Sequence, residues 1–495
     1  MKLYANLSRE IGKRSPLIYG HFLEHFHRQI YGGVYDPSSP LADEDGFRVD
    51  VLNAMKKIKA SIIRWPGGCF VSAYHWKDAV GDDRKPYFDK AWRVEEPNLF
   101  GTDEFVKMCR KIECEPYICT NAGTGTPEEM SDWVEYCNLE TEGRFAKWRI
   151  SNGYERPHGV KFWSVGNENY YSTEIGAKSV DEWGLLVKES AKMIKRVDPS
   201  VELSAAASGN DEWKFCLLKH AGKYLDWFSI HSYRDDLMQV NDCADYESCM
   251  VFTDNLSKFV DRTRGLLTFM GLEKQIKIAI DEWNLRTWHH PKFEDGLAKE
   301  DYLYPRDKND DNSQYTMADA IYTACFLNMC LRNCDIVGMA NFAPTVNTRG
   351  CIYTYPNGIV LRSTYHVFDL FVNYMGDVVL DSWADDMPKM YTENKKLGKS
   401  VYVDALDLLV TRYSDQEGFA ISAVNKEMNK PLSFSPQLEC DGRQMKIYTV
   451  CGITPDSYND IDREEIMICE QNLGIYKKGM EIMLSPHSVN VIQFL

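Results

Sequence analysis

The chain has 495 residues, of which 44% are hydrophobic and 26% charged, the composition of an ordinary soluble globular enzyme with room for a large barrel and an appended domain. A net charge of −16, from 57 basic and 73 acidic residues, repels phosphate backbones and argues against a nucleic-acid partner. The 15 cysteines form no C-x-x-C pair and "MKLYANLSREIGKR" has no apolar signal core, so reduced thiols and a cytoplasmic location are expected.

In chain order, the opening "KLYANLS" alternates through Leu3, Ala5 and Leu7 as a strand does. From about residue 15 onward, short β-forming apolar runs alternate with helical segments. The runs are "PLIYGHFLE", "ASIIRWPGG", "EPYICTNAG", "VKFWSVGNE", "VELSAAASG", "LDWFSIHSY", "IKIAIDEWN" and "DIVGMANFAP". Between them, "GFRVDVLNAMKKIKA" sets Val49, Leu52, Met55 and Ile58 at helical spacing. "TPEEMSDWVEYC" opens with Thr126, Pro127 and Glu129 as a capping box with proline at the first helical position. "SVDEWGLLVKESAKMIKRVDP" is an amphipathic helix stopped at Pro199. "ADAIYTACFLNMCL" is too short for a membrane span and contains Asp319 and Asn328, so it reads as a buried helix and no membrane partner is expected.

Eight strand–helix units predict an α/β fold, a (β/α)8 TIM barrel over residues 15–375, with the site at the carboxyl ends of the strands. A doubly wound sheet also alternates strands and helices, but the strand count and the polar strand ends favour the barrel. After residue 376, "KSVYVDALDLLVTRY", "GFAISAVNKE", "KPLSFSPQL", "MKIYTVCG" and "HSVNVIQFL" lose the helical period. Residues 376–495 are read as a jelly-roll-like β-sandwich, joined by the N-terminal strand in residues 1–14. The charged "PRDKNDDNSQ" is expected to be a solvated loop, with a lid over the site as the functional alternative.

"HFLEH" poses a question, because His21, Glu24 and His25 in the order H-x-x-E-H are a helical zinc-hydrolase pattern. Here the segment ends the first barrel strand. On an extended strand the two histidines share a side and Glu24 points to the other, so the metal geometry is lost. The zinc hydrolase is kept as a remote alternative. His21, His25 and His27 are expected to be structural hydrogen-bonders near the barrel mouth.

Two carboxylates stand out by position. Glu168 ends the fourth run in "SVGNEN", and Glu282 ends the seventh in "AIDEWN", which places them across one barrel mouth. One strand-end glutamate is ordinarily a rim residue. Two, each flanked by amide and aromatic side chains, suit glycoside hydrolysis, in which one carboxyl protonates the departing oxygen and the other attacks the anomeric carbon or activates water. Asn167 is placed to hold a sugar hydroxyl. Trp163 and Trp283 flank the pair as candidate stacking surfaces, with barrel packing as the alternative for Trp163. Arg64 is expected to pair with one of the carboxylates, since a barrel core does not tolerate a lone cation. Tyr233 is placed to donate its hydroxyl to Glu282, with His231 on the same face. "NAGTGTP" lacks a following Gly-Lys-Ser/Thr and is read as a strand-to-helix turn rather than a phosphate cradle.

Together, "GHFLEHF…YGGVYDP", "RWPGG", "EPYICTNAGTGTPEEMSDWVEYCN", "VKFWSVGNEN", "IHSY" and "DEWN" resemble glycoside hydrolase family 51, the intracellular α-L-arabinofuranosidases. The resemblance implies an exo-acting retaining enzyme that releases terminal α-L-arabinofuranose from arabinose-containing oligosaccharides. It makes Glu168 the acid/base, Glu282 the nucleophile and Glu24 a ligand of the furanose hydroxyls, without metal or organic cofactor. It also implies a hexamer. Two departures fall in the sugar pocket: Cys69 stands where many members have Asn, and Asn341 near the place of a frequent Gln. They leave β-xylosidase, galactofuranosidase and endo-glucanase activities as alternatives. A binding protein on a dead barrel is disfavoured by the presence of both glutamates.

Overall fold

The structure is a computed structural model and describes residues 1–207, 210–235, 245–286 and 310–495. Residues 287–304, after the seventh strand, and the first half of the segment expected as a solvated loop or lid, 305–309, lie outside the described residues; in its second half Asn312 is buried and accepts from Arg362 Nε at 2.7 Å, a correction to the solvated loop.

Eight parallel strands form the barrel: Gly20–Phe22, Ile62–Trp65, Glu115–Thr120, Phe162–Val165, Glu202–Ala205, Trp227–Asp235, Lys277–Arg286 and Val337–Phe342. Sequential strands pair, and the eighth returns to the first through Asn341↔Gly20. Between the fifth and sixth strands a bridge at Ala206↔Ser229 and the bond from Ala207 N to Ser229 O (3.1 Å) bring the sheet round on itself.

Inside the barrel, Ile62, Tyr117, Phe162, Trp227, Ala279 and Met339 form an apolar floor. Two residues further along five of these strands the period-2 alternation raises a polar layer, with Arg64, Cys119, Ser164, Ser229 and Asn341 buried beneath the mouth.

The helices bury the faces their spacing requires. In Val49–Lys57 the inward residues are Val51, Leu52 and Met55, followed by Ile58, whereas Val49 is 41% exposed, so the predicted stripe is turned by part of a turn. Pro127–Asn138 starts with the Thr126 hydroxyl accepting from Glu129 N. The Glu129 carboxylate does not reach back to the cap and instead takes His75 Nδ1 at 2.8 Å. Val180–Val197 does carry a full capping box, Ser179 with Glu182, and ends just before Asp198 and Pro199. Met317–Arg332 is buried along its length, and Asp319 caps its own helix by accepting from Thr316 N at 3.0 Å. Among the described residues no helix is long and apolar enough to cross a membrane.

The last barrel helix, Ser363–Tyr374, is followed by Val378–Ala384, a strand of a nine-stranded sheet. The N-terminal strand Lys2–Lys13 lies inside that sheet, antiparallel to Val378–Ala384 and parallel to Leu432–Pro436. Ile447 and Leu484, from opposite ends of the strand order, share one apolar core, so the sheet rolls over on itself. Its other face, with Val379, Leu409, Ala420, Val424, Val489 and Val491, joins the barrel core. The run "KSVYVDALDLLVTRY" is not one strand. Lys399–Asp404 pairs with Lys389–Asn394 in a separate hairpin, and the chain passes Ala405 before Leu406–Arg412 enters the main sheet. The described cysteines are free thiols, most of them buried.

Candidate active site

The fourth and seventh strands bring Glu168 and Glu282 to one mouth. One carboxylate oxygen of each, together with a ring nitrogen of His231, all lie within 4.8 Å of one another. The backbone presents Glu168 in the left-handed region, at φ 44°, which costs a non-glycine residue energy that the surrounding fold must offset. Gly166 before it has φ 68°, and a Cβ there would lie 2.5 Å from Asn169 Oδ1, which explains the glycine of "GNE".

Glu282 points inward because of an irregularity in the seventh strand. Ala279 pairs with Ser229 but Glu282 with His231, so three residues of the seventh strand span two of the sixth. The bulge turns both Asp281 and Glu282 toward the barrel interior. Arg64 Nη1 donates to Glu282 Oε1 at 2.7 Å, and the Tyr233 hydroxyl to Glu282 Oε2 at 2.8 Å. Arg64 Nη2 also donates to Asn167 Oδ1 at 2.9 Å. That bond fixes the amide, leaving Asn167 Nδ2 as a buried donor with no hydrogen-bond partner among the described residues.

His231 joins the two catalytic candidates to Asp281. Its Nδ1 is 2.5 Å from Glu168 Oε1, and its Nε2 is 3.4 Å from Asp281 Oδ1. Burial favours neutral imidazole, but the charges of Glu282 and Glu168 outweigh it and hold the ring's pKa well above the usual range. Asp281 also accepts from Ser229 Oγ at 2.5 Å and from Tyr117 OH at 2.8 Å. Burial pushes its carboxyl up, but the His231 bond and the Arg64 charge prevail and keep it low.

Glu24 lies in the turn beyond the first strand, which ends at Phe22, and not on the strand itself. Its Oε1 accepts from Phe70 N at 3.0 Å and from Trp92 Nε1 at 2.9 Å. Burial, followed by the neighbouring Glu282 charge, raises its carboxyl to about 7 against those two bonds. Gly67 gives it room, since a Cβ there would lie 2.4 Å from Glu24 Cβ.

Cys69 opens a short helix, Cys69–Ala73, and its Sγ donates to Glu174 Oε1 at 2.7 Å. Asn341 points into the barrel, but its Nδ2 is occupied by His21 O at 2.8 Å. Trp283 is a correction to the expected stacking surface. It is buried on the outer side of the barrel wall, with its ring 3.9 Å from Phe326 and nearly parallel to it. Trp163 is likewise buried packing, edge-on to Trp133.

The zinc triad is not assembled. His21 packs on Phe368 at 4.9 Å, and neither ring nitrogen has a hydrogen-bond partner among the described residues, which corrects its expected bonding role. Burial lowers its pKa to about 3. His25 Nδ1 instead meets Glu96 at 3.1 Å while its Nε2 accepts from Trp65 Nε1 at 3.0 Å. His27 Nδ1 lies 3.0 Å from Asp310. A different cluster of metal-type ligands, Asp181, Cys216 and His220, lies on the helical exterior. Those three satisfy one another, with Cys216 Sγ 3.4 Å and His220 Nε2 3.7 Å from the same Asp181 oxygen.

The arrangement therefore supplies an oriented carboxylate, a second carboxyl against an imidazole, and free polar groups for hydroxyls. Sequence reading missed Asp281, Trp92 and Glu174. Asp281 stands beside Glu282 in "DEWN", but regular alternation sends adjacent residues to opposite faces.

Comparison with known proteins fits this geometry. Residues 54–258 match the model of the α-L-arabinofuranosidase 1 domain, and residues 281–488 that of the α-L-arabinofuranosidase C-terminal domain. The α-L-arabinofuranosidase C of Emericella nidulans is 32% identical over 93% of this chain and 92% of its own. The intracellular exo-α-(1→5)-L-arabinofuranosidase of Halalkalibacterium halodurans is 31% identical over 97% and 92%. The crystal structure of an α-L-arabinofuranosidase from Thermotoga maritima in complex with arabinose superposes with a TM-score of 0.89 at 32% identity, covering 99% of both chains.

Proposed function

We propose, for a chain that belongs to the α-L-arabinofuranosidases of glycoside hydrolase family 51, a double displacement in which Glu282 is the nucleophile and Glu168 the acid/base. The enzyme is an exo-acting retaining glycosidase that releases terminal α-L-arabinofuranose. The single observation that carries the double displacement is the closeness of Glu168 and Glu282, with carboxylate oxygens within 4.8 Å. Retaining pairs stand about 5–5.5 Å apart, whereas inverting pairs leave about 6.5–9.5 Å for a water.

Arg64 and Tyr233 each hold one oxygen of Glu282, so the carboxylate meets the anomeric carbon in one orientation. As its oxygen forms the bond to that carbon, the glycosidic bond breaks and the departing oxygen takes the Glu168 proton. Glu168, now ionised, faces the imidazole of His231. It removes a proton from water, the water oxygen displaces Glu282 from the sugar, and configuration is retained. Asn167 Nδ2 is free to hold the hydroxyl beside the reacting carbon, and Glu24 Oε2 a more distant one. Cys69 and Asn341 line the same region, and each is already engaged through its side chain.

The finer reading is a cytoplasmic hexamer acting on short α-(1→5)-linked arabino-oligosaccharides. The linkage and location named for the Halalkalibacterium halodurans enzyme support that reading, and the resemblance to the family supports the hexamer. A panel of nitrophenyl glycosides tests the activity. The α-L-arabinofuranoside should be turned over well ahead of the β-xyloside, galactofuranoside and cellobioside, with the first-formed product of retained configuration by NMR. Preference for another glycone, or an inverted product, would overturn it. Light scattering of the eluted protein tests the hexamer.

A further inference from the structure

Glu174 is a carboxyl that the double displacement does not use. It lies six residues beyond Glu168 on the loop after the fourth strand, 9% exposed, and its side chain crosses to the turn after the second strand. There Oε1 accepts from Cys69 Sγ at 2.7 Å and Oε2 from Ser72 Oγ at 3.3 Å. Asn169 Nδ2 reaches the same hydroxyl at 3.4 Å. Between Cys69 and Ser72 lies Phe70, whose N–H holds Glu24. The clamp therefore grips, on both sides, the peptide that orients the sugar-binding carboxylate.

We propose that Glu174 is a positioning residue of the glycone pocket, whose carboxyl holds the Cys69–Ser72 turn so that Phe70 N–H aims Glu24 at the furanose, and whose ionisation weakens glycone binding by crowding Glu24 and Glu168 with a further anion. The proposal rests on the arabinofuranosidase reading above.

The charges around it make ionisation costly. Glu24 faces Glu174 from the loop after the first strand, Glu168 from its own loop and Cys69 from the turn it grips. The thiol adds no charge, because burial and then Glu174, Glu24 and Glu168 all hold its proton on. Lys178, the cation at the end of the same loop, is turned to the carbonyls of Gly176 and Gly123. Burial, followed by the charges of Glu168 and Glu24, pushes the Glu174 carboxyl up to about 8 against the Cys69 and Ser72 bonds. Raising the pH through that value sets a further anion beside Glu24 and Glu168 in a water-poor pocket.

The test uses 2,4-dinitrophenyl α-L-arabinofuranoside, whose leaving group departs without a proton from Glu168, so kcat/KM is not limited by that proton. In the parent, kcat/KM should fall on the alkaline side. Glu174→Gln keeps the clamp without the charge. Its kcat/KM at neutral pH should stay within about threefold of the parent while the alkaline fall moves up by about one pH unit or disappears. Glu174→Ala removes the clamp and should lower kcat/KM about tenfold at every pH, mostly through KM. Cys69→Ala takes away a bond that favours the ionised form, so its alkaline fall should move upward. Thermal melts confirm that each variant is folded. A Glu174→Gln profile that superimposes on the parent's, or a Glu174→Ala variant with parental kcat/KM, overturns the proposal. Failure of the parent to hydrolyse this substrate would overturn the arabinofuranosidase reading itself.

Discussion

The imidazole of His231 stands 2.5 Å from the carboxyl of Glu168, Nδ1 against Oε1, and it is the cation nearest to the group that must alternately give up and take back a proton. Glu168 ionises when the glycosyl-enzyme forms, and His231 is the partner for that charge. Replacing it with Phe takes the imidazole away from a half-buried carboxylate. His231→Phe should therefore slow hydrolysis of the intermediate more than its formation. With an activated aryl substrate, stopped-flow measurement should show a burst of phenolate followed by a steady state slower by about 10²-fold. A variant without a burst, slowed equally in both steps, would assign His231 to binding alone.

Arg64 is fully buried and shared among Glu282, Asn167 and Asp281, the last at 3.6 Å. Breaking a buried pair by removing one partner costs about 3–5 kcal/mol, because the other charge stays behind. Arg64→Met should destabilise the fold by that order in urea titration. Arg64→Lys keeps the charge but has no planar fork to serve both Glu282 and Asn167. Its fold should survive while kcat/KM drops by about 10²–10³-fold. Parental kinetics in the lysine variant would show that the fork is dispensable.

The pH dependence of stability follows from Glu24. Its carboxyl titrates at 4.5 when free and at about 7 in the fold. The native state thus holds a proton that the unfolded chain releases, so stability falls as pH rises between those values. The contribution is fully present below about pH 4.5 and is lost as pH rises through about 7. Glu174, raised to about 8, acts in the same direction. Below about pH 6.5 the buried neutral His21 acts the other way, so the melting temperature should fall between about pH 6.5 and pH 8, and Glu24→Gln should flatten that slope. Parallel curves for the two proteins in calorimetry would remove Glu24 from the account.

Much of the barrel was legible because most strands combine an apolar floor residue with a polar upper one, as Ile62 with Arg64 and Met339 with Asn341. That Glu168 and Glu282 meet at one mouth was legible because each ends an apolar run three strand–helix units from the other. Trp283 misled because a neighbour in sequence is on the opposite face of a strand, and its ring lies against Phe326 outside the wall. Asp281 was hidden by the bulge, which no hydrophobic pattern announces. Glu174 and Cys69 meet across 105 residues of chain, a contact set by how two loops pack at the mouth. Glu24 was given its role by resemblance, while its place in a turn beyond Phe22 came only from the structure.

The opening H-x-x-E-H pattern yields a prediction about metal. His21 faces Phe368, His25 faces Glu96 and Trp65, and Glu24 faces Phe70 and Trp92, so the three side chains diverge. Exhaustive dialysis against a chelator should leave arabinofuranosidase activity unchanged. A loss that added zinc restores would bring the metal reading back.

The roles of the two glutamates can be separated by what rescues each loss. Glu168→Ala removes the proton donor, so substrates with poor leaving groups should lose most activity, while an activated aryl arabinofuranoside keeps much of the first step. The glycosyl-enzyme then waits, because water lacks its base. Azide needs no base and fits the space left by the missing carboxyl. It should restore turnover and give a glycosyl azide of retained configuration, since it displaces Glu282 from the face that Glu282 left open. Glu282→Ala should lose the first step on both kinds of substrate, because Arg64 and Tyr233 then hold no nucleophile. Azide occupying that place attacks the sugar directly, so any rescued product should be inverted. The measurement is turnover of both variants with and without azide, with the product anomer assigned by NMR. An inverted azide from Glu168→Ala and a retained one from Glu282→Ala would exchange the two roles. Unchanged activity in both variants would place the chemistry outside this pair and sever the link between the 4.8 Å geometry and the reaction.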